Sequence, residues 1–360
     1  MGRKCLIVTM LMVMVFTGSV ISITKAAPAQ KPIIWRFETI FAPPPALGSD
    51  TNAFVWFADE LKKRTGGRLQ IEIAWGSSLT RKPGSSFRLV GEGQLEISEA
   101  WWDINAAEVP WLESADYPAL ILGSRKGKAV INALLPMVKE LANEKGFYLL
   151  ANYPNTGVHI GVPMAFMMNK EIKTIEDFKG LIMRVYSPIV GAAVVRPLGM
   201  KPVLIPFAEI PVAIKTHVID AVYTGAISYL DSNVVDVCKY CWLISKPYNV
   251  LPKSIIVNKK AFDALPSDLQ EILKMVCSEF ELRAWVAVDN PTVIGWPSME
   301  SIYEIAKKRG GEMIYLPKPI RDHIEKISRA HLEQWIEQGD VKKKRAGKLV
   351  LEAIDSVKAE

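Results

Sequence analysis

The sequence predicts an α/β fold made of two successive units, and two observations support this prediction. The chain of 360 residues is long enough for two domains of ordinary size, and with 49% hydrophobic and 23% charged residues it has a globular composition. Strand-like and helix-like patterns also alternate in two series, one up to about residue 150 and one from near Val158. Such alternation typically produces a largely parallel sheet covered by helices.

The first series begins with a strand at 33–41, which the three prolines at 43–45 end. A helix then starts near residues 49–50, whose side chains can cap its free amides, and ends at the glycine pair 66–67. Apolar and polar residues alternate strictly in RLQIEIAW, residues 68–75, which is typical of a half-buried strand. Further helix and strand segments continue this order.

The second series contains the stretch GLIMRVYSPIVGAAVVRPLG, residues 180–199. It predicts a strand at 181–186, then a helix capped by Ser187, with Pro188 at its first position and Gly199 at its end. Other periodic segments complete the series: a capping-box helix start at 174–177, a strand at 202–205, a helix at 207–216, a strand at 218–223, and long helices beginning at Pro266 and Pro319.

One arginine, Arg184, interrupts the apolar strand at 181–186. Burying an unpaired charge costs several kcal/mol or more, so this side chain is expected to have a partner or to reach a water-filled cleft. Alternation along the strand places Arg184 and Tyr186 on one face, near the end where open α/β sheets hold ligands. The helix start at Ser187 adds free amides that favour an anion.

These features predict that Arg184 binds a carboxylate, because a guanidinium can hold both carboxylate oxygens in two parallel hydrogen bonds. The alternative interpretation is an internal ion pair with Glu209 or Asp220.

The first 26 residues have the pattern of a secretory signal peptide. Arg3 and Lys4 precede an apolar stretch at 5–23, and small residues follow at 26–27. We expect residues 1–26 to be removed on export. The apolar stretch is also long enough to span a bilayer, so an uncleaved membrane anchor is the alternative.

The charge balance excludes nucleic acid as the predicted partner. Without residues 1–26 the chain has 41 basic and 38 acidic side chains, a net charge of only +3. The one basic cluster, at 342–345, indicates a solvated helix face or a weak contact with anionic lipid.

The motifs of common enzymes are missing from the sequence. It contains no G-x-S-x-G and no H-E-x-x-H, and the glycine-containing stretch at 123–128 is too short for a phosphate loop. We therefore predict no catalytic residues, no cofactor and no enzymatic activity. Cys238 and Cys241 form a C-x-x-C pair that predicts either a local disulfide or, together with Cys277, buried free thiols.

Several ordered segments between about residues 33 and 290 resemble the extracytoplasmic solute-binding proteins of tripartite ATP-independent periplasmic (TRAP) transporters. The segments are TGGRLQIEI at 65–73, TIEDFKGLIMRV at 174–185, LGMKPV at 198–203, IPFAE at 205–209, VIDA at 218–221 and LPSDLQEIL at 265–273.

This resemblance implies a two-lobed periplasmic-binding-protein fold, with a ligand cleft between the lobes and a long helix spanning them. The first lobe would comprise 33–157 and about 248–288, and the second 158–247 and about 289–358. The protein would be periplasmic and would hand a small organic acid to TRAP membrane permease subunits. Arg184 matches the family arginine that pairs with the ligand carboxylate.

The chain departs from the family pattern at positions that bear on the ligand. Many members have a glycine where this chain has His217, and an asparagine where it has Val222, Tyr223 and Thr224. The acidic residue and tryptophan of metal-dependent oxo-acid binders are also missing after residues 218–221, so no metal is predicted.

Aromatic residues near the implied cleft predict a relatively apolar or aromatic monocarboxylate as ligand. Flat rings bury a large area and offer stacking faces. For Trp101 and Trp102 the alternative is that one of them belongs to the core. The predicted ligand-binding residues are Arg184, Tyr186, Tyr223, Thr224, Trp101 and Trp102.

The alternative function is a receptor of the same fold that presents a carboxylate to a membrane signalling protein. An enzyme built on this scaffold is a more distant alternative.

Overall fold

The computed structural model contains two β-sheets flanked by helices. It describes residues 31–41, 43, 49–79, 84–154, 163–205, 209–245, 248–290 and 298–357. The predicted signal peptide lies outside these residues. Among the described helices, none is both long and apolar enough to cross a membrane.

The first sheet has five strands in the order β2-β1-β3-β10-β4, and the second has six in the order β11-β9-β5-β8-β6-β7. The strands are β1 (Ile33–Glu38), β2 (Leu69–Ala74), β3 (Ile97–Trp101), β4 (Phe147–Pro154), β5 (Met164–Met168), β6 (Ile182–Val185), β7 (Lys201–Leu204), β8 (Ala221–Gly225), β9 (Tyr240–Leu243), β10 (Pro252–Asn258) and β11 (Glu312–Tyr315).

Helices connect the strands and cover the sheets. They are α1 (Ser49–Arg64), α2 (Ser86–Gly91), α3 (Gly123–Lys145), α4 (Pro188–Val190), α5 (Ile210–Lys215), α6 (Ser228–Asp231), α7 (Lys259–Asp263), α8 (Ser267–Asp289), α9 (Met299–Lys308), α10 (Lys318–Gln338) and α11 (Val341–Ser356).

The fold class is confirmed as α/β, but the prediction of a largely parallel sheet is wrong in detail. Strand β10 runs antiparallel to both β3 and β4 in the first sheet, and β5 runs antiparallel to both β8 and β9 in the second. Both strands follow immediately after the chain passes from one sheet to the other. A third passage, from β10 to β11, instead adds a strand that pairs in parallel with β9 at the edge of the second sheet.

Three hydrophobic clusters hold these layers together. Helices α1 and α8 pack on the first sheet, and α5 and α9 pack on the second. The third and largest cluster joins the two sheets through α3, α10 and α11. Burial of this much apolar surface between the sheets makes residues 32–360 one compact unit.

The two C-terminal helices, α10 and α11, pack against different parts of the molecule, although both fall within the predicted second lobe. Helix α11 packs against α3, which follows the first sheet's third strand, whereas the preceding helix α10 contacts residues 191–195 of the second series. The division into lobes at the stated residues stays a prediction.

Local predictions are accurate where capping and alternation are strong. The strand carrying Arg184 lies at 182–185, and the helix from Pro266 is α8. The capping box at Thr174 is present, but it begins only a single 3-10 turn at 175–178. Strand β8 begins three residues later than the predicted 218, because residues 216–218 complete the turn after α5.

The three described cysteines are buried with free thiols. Of the two interpretations of the C-x-x-C pair, the structure has the buried thiols. Burial raises the pKa of Cys238 to about 12, so the thiol stays protonated and unreactive at neutral pH.

Candidate functional site

Arg184 lies on β6, an interior strand of the second sheet between β8 and the edge strand β7, and is only 4% exposed. Its neighbours Met183 and Val185 enter the core that joins the sheets. The guanidinium donates from Nε to the carbonyl oxygen of Ile205 at 3.0 Å and from Nη1 to that of Tyr223 at 3.5 Å. Burial lowers the pKa of Arg184 to about 10, which still leaves it charged at neutral pH. The two carbonyl contacts orient the cation.

The alternative partner Asp220 is used elsewhere. Its carboxylate accepts a hydrogen bond from the backbone amide of Ile182 at 2.8 Å. This bond fixes the start of β6 against β8. The other alternative partner, Glu209, occupies the N-cap position of α5, where its side chain forms no capping hydrogen bond.

Tyr186 directly follows β6 and joins the two halves of the molecule. Its hydroxyl donates to Asp116 Oδ2 at 2.7 Å, and Asp116 follows a 3-10 helix of the first series. The Tyr186 ring stacks on that of Tyr223, with 5.7 Å between ring centroids. Two of the predicted ligand residues are thus in contact with each other and with a buried carboxyl group.

A second carboxyl group, that of Asp103, lies beside this cluster. Asp103 is 3% exposed and Asp116 is fully buried. Burial raises the pKa of Asp103 to about 6, and nearby backbone amides and the Lys253 ammonium offset part of the rise. Burial, followed by repulsion from Asp103, raises the pKa of Asp116 well above its usual range. Because the two negative charges repel each other, ionisation of both carboxyl groups is disfavoured, and at least one of them favours its protonated form.

On the first sheet, Lys253 of β10 is completely buried. Its ammonium lies 3.7 Å from Glu99 Oε2 and 3.7 Å from the centroid of the Trp101 ring. Glu99 in turn accepts from the Thr39 hydroxyl at 2.5 Å and from the Ile40 amide at 3.2 Å. This arrangement combines a buried ion pair with a cation–π contact, so the lysine is held from several sides.

The remaining predicted residues occupy different environments. Trp102 packs in the core and donates from its indole nitrogen to Ser254 Oγ at 2.9 Å, so it is the tryptophan that fits the core alternative. Trp101 instead lies between Lys253 and Phe41. Thr224 is buried on β8, with its hydroxyl 3.5 Å from that of Ser228. The structure therefore brings together Arg184, Tyr186 and Tyr223, whereas Trp101 and Trp102 belong to the first sheet.

A small depression extends this region on the first sheet. It opens at the C-terminal ends of β1 and β3 and is lined mainly by hydroxyl side chains and by Glu99 and Trp101. The hydroxyl contributors are Thr39, Ser77, Ser85, Ser86 and Ser98. Such a surface can exchange hydrogen bonds with water or with a polar ligand group.

Sequence reasoning missed the acidic and lysine members of this region: Glu99, Asp103, Asp116 and Lys253. Lys253 carries the same signal as Arg184, a single cation inside an apolar strand, PKSIIVN. Asp103 directly follows the two tryptophans. Asp116 had no local signal, because only the tertiary contact with Tyr186 reveals it. Within the described part of the chain, no group of three or more potential metal ligands comes together.

Two mixed β-sheets covered by helices, with a buried arginine and aromatic residues at the end of an interior strand, are typical of a two-lobed binding protein. The model of the family "Bacterial extracellular solute-binding protein, family 7", or DctP, matches residues 45–338. This chain belongs to that family, whose members are extracytoplasmic receptors of TRAP systems. The predicted family and two-lobed fold class are thereby confirmed.

Characterised relatives agree with this assignment. The chain is 28% identical over 238 residues to a solute-binding protein of Albidiferax ferrireducens, a match that spans 62% of this chain and 65% of that protein. It is 26% identical over 273 residues to the C4-dicarboxylate-binding periplasmic protein DctP of Rhodobacter capsulatus, covering 73% and 76% of the two chains.

Solved structures share the fold at low sequence identity. The crystal structure of DctP6, a Bordetella pertussis extracytoplasmic solute receptor binding pyroglutamic acid, matches with a TM-score of 0.76 and 24% identity. The match covers 90% of this chain and all of that chain.

Proposed function

We propose that this protein binds a small carboxylate at Arg184 and delivers it to a TRAP membrane permease. The observation that carries the proposal is a charged guanidinium, 4% exposed, on an interior strand of the second sheet and close to Tyr186. A buried cation of this kind is costly, and a ligand carboxylate offsets the cost by forming two parallel charged hydrogen bonds.

The carbonyl contacts of Arg184 support this role. Bonds from the guanidinium to the carbonyls of Ile205 and Tyr223 fix its plane. Because the Arg184 side chain is already oriented, it loses little conformational entropy when an acid binds, and this favours affinity. Relatives agree with the ligand class, because C4-dicarboxylates and pyroglutamic acid, named for the Rhodobacter and Bordetella proteins, are all carboxylates.

The aromatic surroundings favour a relatively apolar or aromatic monocarboxylate. The stacked pair Tyr186 and Tyr223 gives the site a flat apolar wall beside Arg184. Trp101 offers a further ring on the first sheet, and Thr224 a hydroxyl. Thermal-shift screening of organic acids tests this preference, since a ligand at 100 times its Kd stabilises by about 2.7 kcal/mol. A preference for dicarboxylates or polyhydroxylated acids would overturn it.

The Arg184→Lys variant tests the site itself. Lysine keeps the charge but cannot reproduce the two-pronged contact, so we expect a loss of about 2–5 kcal/mol in binding free energy with little change in unfolding. Titration calorimetry with the best acid from the screen measures it. Arg309→Lys is the matched control, because Arg309 is a surface residue paired with Asp236. Unchanged affinity in a folded Arg184→Lys protein removes Arg184 from the site.

The transport role implies that the ligand is released unchanged. We expect mass spectrometry of a bound acid after long incubation to recover it intact, and neighbouring genes to encode two permease subunits. Export predicts a mature chain that begins near residues 27–30, which the intact mass of secreted protein tests. A chain that retains Met1 would indicate a membrane anchor.

A further inference from the structure

The two buried aspartates beside the proposed carboxylate site have more acceptor capacity than the protein fills. Neither oxygen of Asp103 forms a hydrogen bond of ordinary geometry with a described residue, and neither does Oδ1 of Asp116. The remaining carboxyl oxygen of the two aspartates, Asp116 Oδ2, accepts a hydrogen bond from the Tyr186 hydroxyl. Buried polar atoms without partners are rare in native proteins, because each one costs free energy.

Two further buried polar atoms of this region also lack ordinary hydrogen bonds within the described part of the chain. The fully buried hydroxyl of Tyr223 has no hydrogen-bond partner among the described residues, and both Asp116 and Asp103 raise its pKa by their charge. The indole nitrogen of Trp101, which is 6% exposed, is likewise unpartnered within the described part of the chain. Trp101 stacks against Lys253, and the charge of Lys253 lowers the pKa of Asp103. The unfilled groups thus surround one polar region.

The two aspartates and Arg184 are linked through Tyr186, and this arrangement suggests which kind of ligand occupies the polar region. Arg184 and Tyr186 are two residues apart on one strand, which separates their Cα atoms by about 7 Å. The hydroxyl of Tyr186 reaches Asp116. Tyr186 therefore connects the strand that carries Arg184 with the pair of aspartates.

We propose that the ligand of this site is a carboxylic acid that also carries an N–H group, with its carboxylate on Arg184 and its N–H directed to Asp103 and Asp116. This inference rests on the proposed function and names the ligand class more narrowly. An ionised carboxylate of the pair accepts hydrogen bonds and cannot donate them, so the ligand must supply the proton. A nitrogen is favoured over a hydroxyl because it can also carry a positive charge beside two carboxyl groups, and over an ether oxygen or a methylene because neither of these donates.

Both a cationic and a neutral N–H group satisfy this geometry. An ammonium or a protonated secondary amine would favour the ionised forms of both aspartates. Its binding would therefore release the proton that one of the carboxyl groups holds. A lactam or other amide N–H would bind while one carboxyl keeps its proton. The two forms share the same hydrogen-bond chemistry and are separated by the choice of probes.

Four acids with the same five-membered ring test the inference by titration calorimetry. Proline carries a cationic N–H and pyroglutamate a neutral one, whereas tetrahydrofuran-2-carboxylate has an ether oxygen and cyclopentanecarboxylate a methylene at the corresponding position. We expect at least one N–H ring to bind about tenfold or more tightly than both rings without N–H, the range of a hydrogen bond to a charged group. The tighter of proline and pyroglutamate identifies the charge state.

The Asp103→Asn variant then assigns the preference to this residue. We expect the affinity ratio between N–H and methylene rings to fall to about threefold or less, because an amide accepts more weakly than a carboxylate. Asp236→Asn, at an exposed aspartate paired with Arg309, is the matched control and should keep the wild-type ratio. Should Asp103→Asn fail to fold, Asp116→Asn serves for the same measurement.

The outcomes separate this inference from the proposed function. Equal affinity for all four rings, an unchanged ratio in the folded aspartate variant, or no binding of any ring at millimolar concentration overturns the N–H assignment. If other acids from the screen still bind and depend on Arg184, the proposed function stands without it. If no acid depends on Arg184, both proposals fall.

Discussion

Arg184 and Lys253 are both cations buried in apolar strands, one in each sheet, yet they are held in different ways. The ammonium of Lys253 lies against the carboxylate of Glu99 and the ring of Trp101. The guanidinium of Arg184 is bonded to the carbonyl oxygens of Ile205 and Tyr223. A carboxylate neutralises a cation, whereas carbonyl oxygens orient it. The comparison leads us to expect that Lys253 stabilises the first sheet, and it agrees with the proposal that Arg184 binds a ligand.

The largest effect is expected from Lys253→Met. This change leaves Glu99 buried without its cation, and breaking a buried pair typically costs about 3–5 kcal/mol. Urea denaturation, followed by tryptophan fluorescence, measures the loss. Lys239→Met is the matched control, because Lys239 pairs with Glu312 on the surface at 3.2 Å and should cost less than about 1 kcal/mol.

The double variant Lys253→Met with Glu99→Gln sharpens this result. Removing both charges takes away the uncompensated carboxylate, so much of the lost stability should return. A single variant as stable as the wild type would mean that Lys253 is not structurally paired, and the contrast with Arg184 would disappear.

Asp103→Asn should change how stability depends on pH. Burial raises the pKa of Asp103 to about 6 from the ordinary 3.8, so the folded protein takes up a proton in this interval. The stability that the neutral form provides is present below about pH 4 and is lost as the pH rises through about 6. The shift corresponds to about 3 kcal/mol, which the asparagine variant should regain at neutral pH and not at pH 4.

The same substitution also lowers the pKa of Asp116, since it removes the repulsion between the two carboxyl groups. Denaturation curves at several pH values follow both effects. Parallel pH profiles for Asp103→Asn and the wild type would show that Asp103 does not titrate in this range. Asp236→Asn, at an exposed site, should leave the profile as it is.

Part of this site could be predicted from sequence because its signals are local. A lone arginine in an apolar run, alternation along the strand and the Ser-Pro helix start together located Arg184 and Tyr186. The resemblance implied a glycine at position 217, and the structure gives a local reason that fits this expectation: His217 adopts a φ of 57°, a left-handed conformation that costs glycine little.

The remainder depends on contacts between distant segments. Asp116 meets Tyr186 across 70 residues, and Lys253 meets Glu99 through the pairing of β10 with β3. The antiparallel direction of β10 and β5 is likewise a property of the tertiary fold, since both strands follow a passage between the sheets, and no pattern of apolar residues encodes it. Lys253 was overlooked although its strand has the same composition signal as that of Arg184.

Tyr186→Phe tests the bond that joins the two halves at the site. Removing a hydroxyl that donates to a buried carboxyl should cost about 1–2 kcal/mol in unfolding free energy. The pKa of Asp116 should rise further, because this hydrogen bond lowers it. Tyr248→Phe is the matched control, since its hydroxyl donates to the more exposed Asp289 at 2.8 Å. An equal loss in both variants would argue that the bond between the halves has no special weight.

The smallest effect on folding is expected from Arg184→Met, although the residue is almost as buried as Lys253. Methionine has a similar straight chain and removes the cost of burying a charge, which offsets the loss of the bonds to Ile205 and Tyr223. We expect the unfolding free energy without ligand to stay within about 1 kcal/mol of the wild type, while thermal stabilisation by added acids disappears. Measuring Arg184→Met and Lys253→Met side by side decides the comparison: if both variants lose several kcal/mol, Arg184 is a structural cation like Lys253, and the carboxylate must bind elsewhere.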